Sequence, residues 1–294
     1  MQRHGEAGVV AGDFAGFQGC CDAAKERNLP AAPNRDNERR MRRIAIVNQK
    51  GGAGKTTTAV HLAVSLAKMR KRVLLVDLDG QGNATTYLGL QKSGDALLEL
   101  LLGKRSFDSA VQSTAFGVDV LAGGPQLEGL DVVLYMAKGS TGPLLLKKQL
   151  DAVQNRWDFA LIDCPPNLGT ATASALVAAA EVLIPVQAEA MAAEGLARLC
   201  ENIEEVRGVN ATLRIVGVLP CMTTARDSLS VEVEAALREN FGELVFSQSI
   251  KRATKIAQSY TARKPMHAFD PKNPVLKAYD SVAKELVKRG VATA

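Results

Sequence analysis

The apolar residues of this chain fall into short, nearly continuous runs that alternate with longer segments of helical periodicity. Six runs have the length and composition of buried strands: Ile44–Val47, Arg72–Val76, Gly117–Leu121, Phe159–Ile162, Val182–Val186 and Ile215–Leu219. Seven segments have helical spacing: Ala59–Ala67, Asp95–Leu102, Gly142–Gln154, Thr170–Ala180, Ala192–Val206, Ser230–Asn240 and Pro274–Lys288. Because parallel strands are buried on both faces and need helical connections, this alternation predicts an α/β fold. We expect a doubly wound, mostly parallel sheet with helices on both faces.

Residues 1–40 differ from the rest of the chain. They are rich in Gly, Ala, Asn and Arg, have no clear periodicity, and carry six basic and six acidic side chains. This composition predicts a disordered or dispensable extension. Residues 41–294 are predicted to form one domain, because the 294-residue chain is 47% hydrophobic and can bury a full core.

A glycine-rich segment joins the first predicted strand to the first predicted helix. It reads Lys-Gly-Gly-Ala-Gly-Lys-Thr-Thr. The order of strand, glycine-rich loop and helix is typical of a phosphate-binding loop, in which backbone N–H groups and the helix dipole face the phosphates. In such a loop Lys55 reaches the β- and γ-phosphates, and the Thr56 hydroxyl binds Mg²⁺. The predicted nucleotide-binding residues are Lys50, Gly51, Gly52, Ala53, Gly54, Lys55, Thr56 and Thr57.

Two predicted strands end in aspartate. Asp77 closes the second run and is followed by Asp79, while Asp163 closes the run Phe159–Ile162. Open parallel sheets bind ligands beyond the carboxyl ends of their strands. An apolar strand that ends in aspartate is typical of a Walker B segment, so Asp163 is predicted to bind Mg²⁺ directly or through water.

Three motifs resemble those of the ParA/MinD group of P-loop ATPases. The loop has Gln49 at the first glycine position of the general motif and an additional lysine, Lys50, which is similar to the deviant Walker A box of that group. The segment Asp-Leu-Asp-Gly-Gln-Gly-Asn-Ala-Thr at residues 77–85 resembles the D-x-D-P-Q-G-N-A-T segment of ParA and Soj proteins, with Gly80 in place of proline. Asp-Cys-Pro-Pro at residues 163–166 is also similar, and the resemblance covers about residues 42–290.

The resemblance implies an ATPase with ATP and Mg²⁺ as cofactors. Lys50 would reach across a dimer interface to the partner's nucleotide, Asp79 would hold the attacking water, and Asp77 would help to organise Mg²⁺. The expected catalytic residues are Lys50, Lys55 and Asp79. The expected metal-site residues are Thr56, Asp77, Asp79 and Asp163.

Positive charge is concentrated in the last part of the chain. Residues 250–294 hold ten Lys/Arg against three Asp/Glu, a net charge of +7, which leaves −2 for residues 41–249. A basic face suits a phosphate backbone, although a solvated helical surface is the alternative. The segment Ile250–Gln258 resembles a DNA-contacting segment of the family, and Arg226 is a weaker candidate nearby. The candidate DNA contacts are Lys251, Arg252, Lys255 and Arg226, and backbone binding predicts steep salt dependence without base specificity.

The resemblance as a whole implies a ParA/Soj-type partitioning ATPase. An ATP-dependent homodimer would bind double-stranded DNA non-specifically until a ParB-like centromere-binding protein stimulates hydrolysis, which would drive chromosome or plasmid segregation. Two alternatives stay open: an ATPase of this fold that positions a protein cargo on the nucleoid, and a nucleotide-gated DNA-binding scaffold with negligible hydrolysis.

The sequence predicts no membrane segment and a cytoplasmic, nucleoid-associated protein. No apolar run approaches the roughly 20 residues that cross a bilayer, and Ala278–Arg289 has the spacing of a packing helix. The five cysteines are odd in number and form no C-x-x-C pair, so they are expected to be reduced thiols. His61 is expected to be packed within the first helix.

Overall fold

The structure is a computed structural model, and it describes residues 40–189 and 192–291. Within these residues one sheet contains eight strands: β1 Arg42–Ile46, β2 Val73–Asp77, β3 Val111–Ser113, β4 Val118–Leu121, β5 Phe159–Asp163, β6 Glu181–Gln187, β7 Arg214–Thr223 and β8 Ile250–Lys251. Their order is β3-β4-β2-β5-β1-β6-β7-β8. Only β3 is antiparallel to its neighbour among these pairings. The predicted mostly parallel α/β sheet is therefore confirmed.

Twelve α-helices connect and flank the strands in the described residues. They are α1 Lys55–Lys68, α2 Asn83–Tyr87, α3 Asp95–Leu101, α4 Phe107–Ala110, α5 Leu130–Lys138, α6 Leu144–Ala152, α7 Thr170–Ala178, α8 Ala192–Arg207, α9 Ser228–Phe241, α10 Thr254–Thr261, α11 Met266–Phe269 and α12 Pro274–Val291. Short 3₁₀ turns occupy Pro125–Leu127, Gly139–Thr141 and Gly242–Leu244. None of the helices in these residues has the length and apolarity that crossing a membrane requires.

Two hydrophobic cores cover the two faces of the sheet. Successive residues of a strand point to opposite faces, so Ala45 packs in one core while Ile44 and Ile46 pack in the other. The first core takes its helical residues mainly from α3 and from α5 to α9. The second takes them mainly from α1, α2 and α12. The apolar strand runs are thus explained by burial on both sides, as expected for parallel strands.

The six predicted strands and seven predicted helices are all present, with ends that differ by a few residues. The strands missed in the sequence are short, and the missed helices are α2, α4, α5, α10 and α11. Strand β3 is mostly exposed and β8 spans two residues, so neither has an apolar run to reveal it. The predicted extension at residues 1–40 lies outside the described residues, apart from Arg40. Met41, however, is buried, and its N–H donates to the carbonyl of Gln154 at 2.9 Å.

The sheet register brings the predicted functional segments to one edge. Strand β5 lies between β2 and β1, and Asp163 is the register partner of both Asp77 and Ile46. The glycine-rich loop leaves β1 immediately after Ile46, at the same carboxyl edge. The fold therefore places the loop beside both strand-end carboxylates.

Candidate nucleotide site

The loop between β1 and α1 has the backbone shape of an anion-binding loop. Gly52 and Gly54 have φ angles of 79° and 91°, which glycine adopts with little strain. Helix α1 starts at Lys55 with no side chain capping it. Because helix geometry leaves the first-turn N–H groups without helical acceptors, these donors and the positive end of the dipole face the loop.

Lys55 lies inside this loop. Its side chain is 6% exposed, and its Nζ donates to the backbone oxygen of Lys50 at 3.2 Å. Burial lowers the pKa of Lys55, and the charges of Asp163, Cys164 and Asp79 partly oppose that shift. A buried ammonium group with acidic neighbours is suited to binding a polyanion together with a cation.

Asp77 organises the loop that follows β2. Its carboxylate is fully buried and accepts hydrogen bonds from the Thr85 hydroxyl at 2.7 Å, the Thr85 N–H at 2.9 Å and the Asp79 N–H at 3.2 Å. The N–H of Gly123 donates in turn to the Thr85 hydroxyl at 2.8 Å. Burial raises the pKa of Asp77, while the bonds from Thr85 and Asp79 oppose the shift.

Asp163 is different, because its carboxylate is buried and the Thr56 hydroxyl near it does not reach hydrogen-bonding geometry. Neither oxygen has a hydrogen-bond partner among the described residues. Burial and then the neighbouring charge of Asp77 raise the pKa of Asp163 well above its usual range, and Thr56 and Lys55 oppose this. An unpartnered buried carboxylate is costly unless a cation or a proton neutralises it. Asp163 and the nearby Thr56 therefore fit a Mg²⁺ ion.

The described residues contain no group of three or more His, Cys, Asp or Glu side chains arranged to hold a metal by themselves. This agrees with the chemistry of Mg²⁺, which commonly binds one or two protein oxygens and completes its shell with phosphate oxygens and water. The site thus fits a metal that arrives with a nucleotide.

A cavity of about 700 Å³ opens in front of the loop. Gly51, Lys55, Thr56 and Asp79 line it, together with residues of the segments Ile250–Thr254 and Ile256–Ala257. The Asp79 carboxylate accepts a hydrogen bond from the Gln81 N–H at 2.9 Å, and this bond fixes the orientation of the Asp79 side chain in the loop after β2. The volume suits a nucleotide-sized ligand.

Lys50 directly precedes Gly51, the first loop residue that lines the cavity. Its ammonium group forms an ion pair with Glu189 of the same chain, and Lys50 remains 35% exposed. Glu189 also accepts from Gln187, and Arg252 lies 3.9 Å from its second oxygen. Glu189 was not predicted as a site residue. The sequence signal for it was the position of an acid two residues beyond the apolar strand β6.

The predicted DNA-contacting residues lie beside this cavity. Lys251 and Arg252 line it, and both are exposed. Lys255 lies in the first turn of α10, where its ammonium group pairs with Asp270 at 2.6 Å. Arg226 is exposed in the turn between β7 and α9. The structure therefore groups Lys251, Arg252 and Lys255 near the nucleotide cavity.

Comparison with known proteins agrees with this geometry. The AAA domain family matches residues 41–215. The chromosome-partitioning ATPase Soj of Thermus thermophilus is 42% identical over 251 residues, covering 85% of this chain and 97% of that protein. The sporulation initiation inhibitor protein Soj of Bacillus subtilis is 38% identical over 251 residues, covering 84% and 98%.

A solved structure gives the same result for the fold. Cobyrinic acid a,c-diamide synthase from Mycobacterium smegmatis, with a bound ATP analogue and magnesium, has a TM-score of 0.73 and 31% identity, covering 85% of this chain and 96% of that one. The synthase reaction in its name is a property of that protein.

The fold and the loop define a P-loop ATPase of the deviant Walker A type. The chain belongs to the ParA/Soj family of partitioning ATPases. It is an ATPase whose cofactors are ATP and Mg²⁺.

Proposed function

We propose that this ATPase acts in the cytoplasm as an ATP-dependent homodimer that binds double-stranded DNA non-specifically over the nucleoid. A ParB-like centromere-binding protein stimulates hydrolysis and releases the dimer, which drives chromosome or plasmid segregation. The observation that supports this most directly is the shared cavity, which is lined both by loop residues, including Gly51, Lys55 and Thr56, and by Lys251 and Arg252. The Soj relatives support the segregation role.

The residues at the loop divide the work of phosphoryl transfer. Bound ATP supplies the γ-phosphoryl group, and Mg²⁺ offsets its charge. Lys55 and the first-turn N–H groups of α1 hold the phosphates, while the Thr56 hydroxyl and the carboxylate of Asp163 bind the metal directly or through water. Asp79, which lines the cavity, orients the attacking water. Asp77 keeps the Asp79 loop in place through its hydrogen bonds.

Lys50 links hydrolysis to dimer formation. In one chain its ammonium group pairs with Glu189. Half-exposed ion pairs of this kind contribute only about 0–1 kcal/mol, so Lys50 can leave Glu189 for the phosphates of a facing subunit. Hydrolysis by the isolated protein is expected to be slow, because a single chain offers few groups to stabilise the transferring phosphoryl group.

Substitution of Lys50 tests the dimer. Lys50→Ala should abolish dimerisation in the presence of Mg²⁺ and a non-hydrolysable ATP analogue, as measured by sedimentation velocity. Lys68→Ala is the matched control, because Lys68 is exposed in the last turn of α1, far from the loop. A Lys50→Ala protein that still dimerises with the analogue would contradict the proposed role.

Phosphate release tests hydrolysis in the cycle. The rate should rise when both DNA and the ParB-like partner are added, and Asp79→Ala should remove this stimulation. DNA binding with no measurable phosphate release under these conditions would favour the scaffold alternative.

A further inference from the structure

Helix α2 is attached directly to the candidate Mg²⁺ site. Both the Thr85 hydroxyl and the Thr85 N–H donate to the buried carboxylate of Asp77, at 2.7 and 2.9 Å. The loop from Asp79 to the start of α2 is short and closed, since Gly82 N–H donates to the Asp79 carbonyl at 2.9 Å. A rearrangement at Asp77 or Asp79 is therefore transmitted to α2 through direct hydrogen bonds and a loop of only a few residues.

Other side chains of α2 contact α10. The Tyr87 hydroxyl lies 2.5 Å from Ser259 Oγ and 3.2 Å from the Ile256 carbonyl oxygen. The Tyr260 hydroxyl donates to Asn83 Oδ1 at 2.7 Å. The Tyr87 and Tyr260 rings meet edge to face, with centroids 5.4 Å apart. We name Asn83, Tyr87, Ser259 and Tyr260 the tyrosine clasp.

The inner part of the tyrosine clasp is shielded from water. Tyr87 is 1% exposed and Ser259 is 0% exposed. A buried hydroxyl that loses its partner costs more free energy than an exposed one, because water cannot replace the bond. Helices α2 and α10 are therefore expected to move together rather than separate.

Helix α10 continues directly from the basic segment. Lys255 lies in its first turn, and Arg252 lies just before it, with its N–H bonded to the Thr223 carbonyl at 3.1 Å. A movement of α10 would change the position of Lys255 relative to Arg252 and Lys251. The tyrosine clasp therefore joins α2, which holds the metal-site carboxylate of Asp77, to α10, which carries Lys255.

We infer that the tyrosine clasp couples the occupancy of the γ-phosphate and Mg²⁺ site to the position of α10, and thereby to affinity for DNA. The final step, to DNA, rests on the proposed function, whereas the coupling of α2 to α10 does not. Coupling of two binding sites is reciprocal. DNA should therefore raise the affinity for an ATP analogue over ADP by the same factor by which the analogue raises the affinity for DNA.

Hydrogen exchange tests the coupling without DNA. Backbone amides of α10 are compared in Mg²⁺-ADP and in the Mg²⁺ complex of a non-hydrolysable ATP analogue, so that only the γ-phosphate differs. In the unmodified protein the analogue should slow exchange in α10. In the double variant Tyr87→Phe/Tyr260→Phe, which keeps both rings and removes both hydroxyls, this difference should disappear, while the protection of α1 by nucleotide remains.

Two results would overturn the coupling. One is an unmodified protein in which exchange in α10 does not respond to the γ-phosphate. The other is a double variant that keeps the full response, because α10 also lines the cavity and would then sense the nucleotide by direct contact. Tyr135→Phe is the control, since Tyr135 is 71% exposed on α5 and its loss of a hydroxyl should change neither helix.

DNA binding tests the consequence. Affinity for a non-specific duplex is measured with the analogue and with ADP, and their ratio should fall at least about fivefold in the double variant, the effect of roughly one net hydrogen bond. Affinity in Mg²⁺-ADP should not change. If the exchange in α10 responds as expected but the unmodified protein does not bind DNA, the proposed function fails and the coupling stands. A ratio that is unchanged in the double variant would overturn the link from the clasp to DNA.

Discussion

Gly123 allows the closest backbone approach in the site. A Cβ atom at this residue would lie 2.6 Å from Asp77 Cγ and 2.7 Å from the Asp77 carbonyl oxygen, distances that real Cβ atoms do not tolerate. The same residue donates its N–H to Thr85, which holds Asp77. The site therefore requires a glycine at a position outside the phosphate loop.

We predict that Gly123→Ala lowers the free energy of unfolding by about 1–3 kcal/mol, the usual cost of overpacking, and also lowers ATP turnover, because Asp77 must move. The control is Gly195→Ala in α8, where a Cβ atom meets nothing within 4 Å. Since alanine favours a helix over glycine by up to about 1 kcal/mol, this control should gain stability. Urea denaturation and phosphate release measure both effects. Unchanged stability and turnover in Gly123→Ala would refute the packing argument.

Site residues that belong to local motifs are predictable from the sequence, whereas those that act through tertiary contact are not. Lys55 was predictable because it lies in a glycine-rich loop motif, and Asp163 because it ends an apolar strand. Gly123 and Glu189 were not, since neither lies in a pattern that identifies its neighbours. Their contacts, with Asp77 and Lys50, depend on how distant strands are brought together.

At the scale of elements, the six apolar strand runs and the seven helical segments were predicted, whereas α5 and the short helices α2, α4, α10 and α11 were not. Helices α2 and α10 have five and eight residues, too few for periodicity alone to separate a helix from a loop. Their stability comes from contacts with each other and with the sheet face, which a single sequence does not reveal. The tyrosine clasp could therefore be found only in the folded structure.

Helix α1 is tied to α11 and α12 by a buried neutral histidine. His61 is 0% exposed, its Nδ1 lies 2.7 Å from the Thr57 carbonyl oxygen, and its Nε2 accepts from the Met266 N–H at 3.3 Å. Its ring stacks on Tyr279 with centroids 4.8 Å apart. Burial lowers the pKa of His61 to about 4, helped by the nearby His267 and opposed by the bond to Thr57. The ring is therefore packed, as expected, and it is also neutral.

This histidine predicts a loss of stability in acid. The folded pKa is lower than the unfolded value of about 6.5, so the unfolded chain binds the extra proton between those two values. The free energy of unfolding therefore falls as pH drops below 6.5 and is unaffected by His61 well above it. At pH 5 the His61 contribution amounts to about 2 kcal/mol.

The measurement compares His61→Gln with the unmodified protein by urea denaturation at pH 7.5 and pH 5. Because Asp77 and Asp163 titrate in both proteins, the difference between the two proteins reports His61 together with its coupling to the neighbouring His267. The stability gap between them should shift in favour of the variant by about 2 kcal/mol on acidification. An identical pH dependence in both proteins would mean that His61 does not remain neutral in the fold.

At the scale of the whole molecule, the sheet topology brings the nucleotide site and the start of the basic segment to one edge. The strand ends of β1, β2 and β5 form the nucleotide site. Strand β8, the last of the sheet, brings the start of the +7 segment to the same cavity. The charge asymmetry was visible in the sequence, but its position beside the nucleotide was not, because it depends on a two-residue strand.

This arrangement predicts which lysines and arginines set the salt dependence of DNA binding. Each phosphate neutralised by a protein cation adds about 0.9 to the slope of the logarithm of affinity against the logarithm of salt concentration. The triple variant Lys251→Ala/Arg252→Ala/Lys255→Ala should therefore reduce that slope by about two to three when binding is measured with an ATP analogue across a salt series. To contact DNA, Lys255 must leave Asp270 and Arg252 must leave Glu189. The loss in affinity at low salt should therefore be smaller than the loss expected from removing three unpaired cations.

The control removes the same charge elsewhere, with Lys68→Ala/Lys284→Ala/Lys288→Ala, all exposed on α1 and α12. If both triple variants lower the slope equally, DNA responds to overall charge and the segment beside the cavity is not the binding face.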